Sequence, residues 1–224
     1  MAHQRSLKGF YLLLGAVAAG GGLFIIWQTQ QAAAPVVLPS TGIPIGLDSV
    51  PPAAYQMGSD TAPVVVDEWS DFECPFCARL SVLTLPDVKQ RLVASGLVRW
   101  RFNDFPLPGH RNAATAHLAG ACAAEQNQFW PMHDLIYGNQ GVWLRGNMRR
   151  HFADYAQQIG LDTDVYEACM DGQAPLTRIV QSVQRGQARG VGSTPTLFIN
   201  GRPYAGSSLS FDELRRALEA AAVR

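Results

Sequence analysis

Val64-Val65-Val66-Asp67-Glu68-Trp69-Ser70-Asp71-Phe72-Glu73-Cys74-Pro75-Phe76-Cys77 is the stretch on which the fold turns. A β-branched run after Pro63 leads into two cysteines separated by two residues, as expected for a central strand that ends where a helix begins. The unpaired N–H groups of a helix's first turn favour negative charge, and a thiol is a strong nucleophile only as its thiolate. Cys74 is the cysteine best placed to benefit. One helical turn brings Cys77 back toward it, and Pro75 suits the first turn, where a missing N–H is not needed. The arrangement points to disulfide exchange, with half of a zinc site or a structural bridge as competing readings. A four-cysteine zinc site usually brings a second short-spaced pair, whereas Cys122 and Cys169 stand singly and far apart.

Downstream, the helix starting near Cys74 is expected to run to about Leu85, with Pro86 kinking it or opening a second helix through Val93. Gly96 marks a turn, and Val98, Trp100 and Phe102 alternate with Arg99, Arg101 and Asn103 as in a half-buried strand. From Asn112 to about Arg189 the chain has helical spacing, with breaks near 138–146, 160–162 and 172–175. Thr196 to Ile199 reads as a short strand, Asn200-Gly201 as a hairpin turn, and Arg202 to Tyr204 as the return strand. Ser210-Phe211-Asp212-Glu213 has the form of a capping box before a last amphipathic helix ending near Val223. The order strand, helix, strand, long helical segment, hairpin, helix predicts an α/β core carrying a large helical insertion at about 110–189.

Upstream, Arg5 and Lys8 precede Phe10 to Trp27, a run of 18 residues without a charge. As a helix it would span about 27 Å, close to the roughly 30 Å of a bilayer's hydrocarbon core. The basic flank predicts a cytoplasmic N-terminus and a downstream chain delivered outside. Ala32-Ala33-Ala34 offers a cleavage alternative, in which the segment is a signal sequence. An uncleaved single-pass anchor over 1–27 is preferred, because the apolar run exceeds the usual signal core and Gln28-Thr29-Gln30-Gln31 separates it from the alanines. Residues 28–59, with prolines at 35, 39, 44, 51 and 52 and almost no charge, read as a flexible linker to a domain over 60–224. Lys plus Arg and Asp plus Glu are 18 each, and no basic tract stands out, so nothing favours a nucleic-acid partner.

Three ordered motifs carry a further signal: 71–77, Asp-Phe-Glu-Cys-Pro-Phe-Cys; 129–134, Phe-Trp-Pro-Met-His-Asp; and 192–201, Gly-Ser-Thr-Pro-Thr-Leu-Phe-Ile-Asn-Gly. Together they resemble the DsbA-like thiol:disulfide oxidoreductases of the thioredoxin superfamily, over about residues 60–224. The resemblance implies a thioredoxin-like fold, with Cys74 as the exposed attacking cysteine, Cys77 as its resolving partner, and Pro75 and Phe76 as active-site support. Thr194-Pro195 would form a cis-proline loop facing the pair, whose backbone can join an extended substrate strand. Glu68 matches a buried acid beneath the active site of related proteins that relays the proton of Cys77. Period two leaves open whether Asp67 or Glu68 points inward.

Some relatives carry a second disulfide in the helical subdomain, which would here join Cys122 to Cys169. It would close a loop of about 48 residues and restrict the unfolded chain by about 4 kcal/mol. Glu73, beside the nucleophile, reads as a tuning or substrate-facing carboxylate. His133 reads as a packing histidine, and His110 and His117 lack a third ligand for a metal. No metal or cofactor is expected. DsbA itself has histidine between its cysteines where this chain has Phe76, and phenyl cannot stabilise a thiolate by charge. The implied activity is introduction of disulfides into exported proteins with free thiols, on the periplasmic side of the membrane. A membrane reoxidase of the DsbB or vitamin K epoxide reductase type would restore the Cys74–Cys77 disulfide. The alternatives are a reductase or isomerase using the same pair, and a membrane-tethered binding or chaperone module with structural disulfides.

Overall fold

The computed structural model describes residues 9–18, 20–21, 36–38 and 55–223. Residues 9–18 are helical, and Phe10, Leu12, Leu13 and Val17 are exposed. Among the described residues no helix is long and apolar enough to cross a membrane, and the anchor expected over 10–27 extends outside them.

The main unit is built on a five-stranded sheet in the order β1-β3-β2-β4-β5, where β1 is Tyr55–Met57, β2 Val64–Ser70, β3 Val98–Asp104, β4 Thr196–Ile199 and β5 Arg202–Pro203. β2 runs parallel to β3 and antiparallel to β4, so it lies at the centre and is covered on both faces. That double burial explains the unbroken Val64-Val65-Val66 run. Val64, Val66, Glu68 and Ser70 point to one side, and Val65, Asp67 and Trp69 to the other. On the first side Val64 and Val66 pack with Trp100, Leu197, Leu214 and Leu218. On the second, Trp69 packs with Phe105, Val191 and Phe198.

Asp67 therefore faces the opposite side of the sheet from Glu68. It forms a bidentate pair with Arg101 at 2.6 and 2.7 Å, and its Oδ2 also accepts from Arg189, whose guanidinium lies over the Trp69 and Phe198 rings. Gly186 lets the insertion's last helix approach this face, since a Cβ there would come within 2.6 Å of Trp69 Nε1.

The segment after β2 is more broken than a single proline kink would make it. Helix α1 (Pro75–Arg79) and helix α2 (Leu85–Val88) are each followed by a π-helical turn, Leu80–Thr84 and Lys89–Val93. Between β3 and β4 lie α3 (Ala113–Ala124), α4 (Phe129–Gly138), α5 (Gln140–Trp143), α6 (Met148–Gln158), α7 (Thr163–Gly172) and α8 (Leu176–Ala188), the helical insertion. Asn200 (φ 47°) and Gly201 (φ 78°) turn β4 into β5 with two left-handed residues, the geometry that Asn-Gly favours in two-residue hairpins. Helix α9 (Phe211–Ala222) closes the chain against β2 and α2.

Two expectations change. Tyr55–Met57, placed in the linker by its sequence, pairs with Phe102, Arg101 and Trp100 as an antiparallel edge strand, so the folded domain begins before residue 60. The capping box is not formed. Ser210 is the N-cap of α9 but makes no side-chain cap bond, because Glu213 is drawn instead to the Ser207 amide (2.7 Å) and the Ser208 hydroxyl (2.7 Å).

Cys122 on α3 and Cys169 on α7 are joined, with S–S 2.07 Å and a separation of 47 positions. The bridge ties two helices of the insertion that share one apolar cluster, to which α7 adds Tyr166 and Met170 and the neighbouring α6 adds Phe152. Replacing both cysteines with alanine should lower stability by about 4 kcal/mol on the loop-entropy account. The measurement is the guanidinium midpoint of oxidised wild type and double variant, and an unchanged midpoint would remove this role for the bridge.

Candidate active site

Cys74 is the N-cap of α1, in extended conformation (φ −74°, ψ 123°), with Pro75 at the start of the helix. Its N–H donates to the Asp71 carbonyl at 3.0 Å, and its carbonyl accepts from Ala78 N–H at 3.1 Å. The Cys77 thiol and the Cys77 and Phe76 amides of this first turn act on the Cys74 sulfur in the direction that favours its thiolate. The Cys77 thiol is the largest influence, and with these amides and Thr194 it outweighs burial and lowers the Cys74 thiol to about 5. Cys77 is pushed the opposite way, well above the ordinary thiol value, first by burial and then by the Cys74 sulfur. One sulfur is therefore disposed to be the thiolate and its partner the thiol.

Opposite the pair, Thr194–Pro195 is a cis peptide, and Cys74 Sγ lies 3.4 Å from the Thr194 carbonyl oxygen. A Cys74 thiol donates to that carbonyl. The Thr194 hydroxyl is buried with no other partner in that state, and its proton is available to the thiolate once Cys74 ionises.

The nucleophile expected to be exposed is nearly covered. Cys74 is 4% exposed and Cys77 0%, while Phe76 between them projects at 66%. The reason is packing: both cysteines join an apolar cluster with Phe72 and with Met132, Ile136 and Tyr137 of α4. Amides and hydroxyls stand in for water around the charge.

The loop that carries Cys74 is held from several sides. Asp71 accepts from the Glu73 amide, the Leu107 amide and His110 Nδ1, each at 2.7 Å. Gln140 Nε2 of α5 donates to the carbonyls of Phe72 (2.8 Å) and Cys74 (3.1 Å). His117 Nδ1 is paired with Asp104 at 2.6 Å, which leaves Nε2 to accept the Phe72 amide at 3.4 Å. Glu73 is not turned toward a substrate, because its Oε2 accepts the Asn112 amide at 2.7 Å. His133 is buried among Phe72, Phe102, Phe129, Trp130 and Tyr137.

Glu68 lies on the face of β2 opposite to Asp67 and is 1% exposed. The Trp100 indole N–H donates to its Oε2 at 2.7 Å, and burial raises its carboxyl above the usual range. Sequence reading missed Asp71 and Gln140. Asp71 had a local signal, since an Asp accepting from the amide two residues on is an Asx-turn. Gln140 had none. The four cysteines form two separate pairs, and among the described residues no three His, Cys, Asp or Glu side chains gather as metal ligands.

Comparison with known proteins places this geometry. Over 157 residues the chain is 35% identical to a Na(+)/H(+) antiporter NhaA 3 of Salinispora tropica, a match covering 70% of this chain and 23% of that protein. The chain thus spans about a quarter of the length of the curated relatives it matches. Its fold is similar to that of oxidised BdbD from Bacillus subtilis, with TM-score 0.69 and 19% identity over 77% of this chain and 94% of that one. It is also similar to a thioredoxin-like oxidoreductase from Silicibacter pomeroyi, with TM-score 0.62 and 25% identity over 78% and 95%. Residues 51–220 match the family profile Thioredoxin_4, described as thioredoxin, and the chain therefore belongs to that family, in the DsbA-like form of its fold.

Proposed function

We propose that this chain is a thiol:disulfide oxidoreductase acting outside the cytoplasm, and that it works as an oxidase on exported proteins with free thiols. The observation that carries the reading is the Cys74 sulfur at the helix start, favoured as thiolate beside the Cys77 thiol and the cis Thr194–Pro195 loop. In the oxidase direction a substrate thiolate attacks Cys74 of the Cys74–Cys77 disulfide, and Cys77 leaves. A second substrate thiol then displaces Cys74, so the substrate is oxidised and the pair reduced. The buried Glu68 supplies and accepts the proton of Cys77 in this scheme.

Direction follows from charge. A Cys74 thiol lowered to about 5 is ionised at neutral pH, which stabilises the dithiol form and makes the disulfide more oxidising. With about two units separating that value from pH 7, the effect is on the order of 3 kcal/mol, or roughly 60 mV. Amides, the Cys77 thiol and Thr194 provide this without a histidine, so Phe76 does not weigh against oxidation. The Cys122–Cys169 bridge suits an oxidising compartment, and the basic-flanked apolar segment over 10–27 suits a tethered chain. The family resemblance suggests a DsbB- or vitamin K epoxide reductase-type reoxidase. No transport activity is proposed, since the antiporter match covers 23% of that protein.

Cys74→Ser should abolish oxidation of a reduced, unfolded test protein, whereas Cys77→Ser, whose Cys74 thiolate can still attack a disulfide of the same protein in its oxidised form and release one of its sulfurs as thiolate, should accumulate the mixed disulfide, visible on a non-reducing gel. Retained oxidation in Cys74→Ser would leave only a binding or structural role. The potential of the pair should lie well above thioredoxin's roughly −270 mV, and a value near that figure would reverse the assigned direction.

The pH dependence has a definite sign. Below about 5 both thiols are protonated and reduction consumes two protons, whereas above it consumes one. The slope of potential against pH should therefore relax from about 60 to about 30 mV per unit near pH 5. Thiolate absorbance of the reduced protein should rise through the same pH, and a midpoint near 8 would contradict the site's electrostatics.

A further inference from the structure

Eleven of the twelve residues of α3, Ala113 to Ala123, are buried. A helix apolar on every side needs cover all round, and α4, α7 and α8 supply part of it. Further cover comes from far upstream. Val36 and Leu38 pack against the apolar cluster to which α3 belongs, while Val37 between them is 80% exposed, the alternation of an extended chain. The Val36 amide donates to Thr115 Oγ1 at 3.2 Å, and Thr115 is 3% exposed. Among the described residues that amide is the only hydrogen-bond partner of the Thr115 hydroxyl. A buried hydroxyl left unpaired is unfavourable, so this face of α3 selects a main-chain donor as well as apolar side chains.

The sequence prepares the segment for that place. Two β-branched valines favour extended chain, and Leu38, as the residue before Pro39, is disfavoured from helix. Little order is then lost on docking.

We propose that Val36-Val37-Leu38 is a docking motif that clips the linker onto α3 of its own domain, so that the clip, and not β1, sets how far the redox pair reaches from its tether. The proposal rests on the tethered oxidase reading above and deepens it. Without the clip, residues 28–54, 27 in all, separate Trp27 from β1; with it, residues 28–35, eight in all, separate Trp27 from the docked segment. At about 3.5 Å per residue the longest span falls from roughly 95 to roughly 28 Å. The effective concentration of a linked module rises as about the 3/2 power of that shortening, or about sixfold. The substrate class so favoured is an exported chain with free thiols that is itself held at the membrane surface.

The test uses the full chain in phosphatidylcholine vesicles. Amide exchange at Val36 should be about tenfold slower in wild type than in the double variant Val36→Asp, Leu38→Asp. Thr115→Val, which keeps the shape and loses the acceptor, should speed that exchange about fivefold, and it carries the comparison if the double variant does not fold. Wild type and double variant are then given one reduced dithiol peptide, either free in solution or coupled to a lipid headgroup of the same vesicles. Rates on the free peptide should agree within about twofold, whereas the lipid-coupled peptide should be oxidised about sixfold faster by wild type.

Val36 exchanging as fast in wild type as in the double variant would overturn the clip, whatever the activity. Equal rates on the lipid-coupled peptide would overturn its part in reach. A wild type that protects Val36 and oxidises neither peptide would instead sink the exchange reading, and the substrate class with it. A chain that washes off the vesicles would sink the tethered reading and, with it, the control of reach.

Discussion

A negative charge on Cys74, kept almost out of water, is the constraint on which the rest of the structure depends. A buried thiolate is unfavourable unless fixed dipoles replace its hydration. Here the replacements are the first amides of α1, the Cys77 thiol and the Thr194 hydroxyl, which belong to three places in the chain. They work only if the loop 71–74 is held in register with β2 on one side and the Thr194–Pro195 loop on the other. Asp71, Gln140 and the His117–Asp104 pair supply that holding, and each uses a buried or half-buried polar group to fix one or two backbone atoms. The polar residues around the site are thus spent on geometry as much as on charge.

The helical insertion has a part in this beyond covering the sheet. Gln140 begins α5 and binds two carbonyls of the loop that carries Cys74, while α4 contributes Met132, Ile136 and Tyr137 to the same apolar cluster as both cysteines. The two cysteines consequently sit at the seam between the thioredoxin-like core and the inserted helices. Their burial follows from that seam.

Much of this was legible in the sequence. The β-branched run before Cys74 declared a central strand, Asn200-Gly201 declared a hairpin through its two left-handed residues, and the helical spacing between 112 and 189 declared the insertion. The misses have physical causes. Tyr55–Met57 is three residues long in a proline-rich setting, too short for periodicity to show, and its pairing is decided by β3. Asp67 and Glu68 could not be told apart because β2 is buried on both faces, and only the partners Arg101 and Trp100 separate them. The clamp on the loop joins residues such as Gln140 and Phe72, 68 positions apart, and Tyr137 and Ser70, 67 apart, which no local pattern connects. The capping box failed because two serines upstream offered Glu213 closer partners than the helix end did.

The small opening over Cys74 also bears on how long the protein lasts. Thiolates are lost by stepwise oxidation to sulfenic, sulfinic and sulfonic acids, and susceptibility follows both ionisation and exposure. Cys74 has the first property in full and, at 4% exposed, little of the second. A sulfenic acid that did form would have the Cys77 thiol of the same motif to condense with, so damage is channelled back to the disulfide before the irreversible steps.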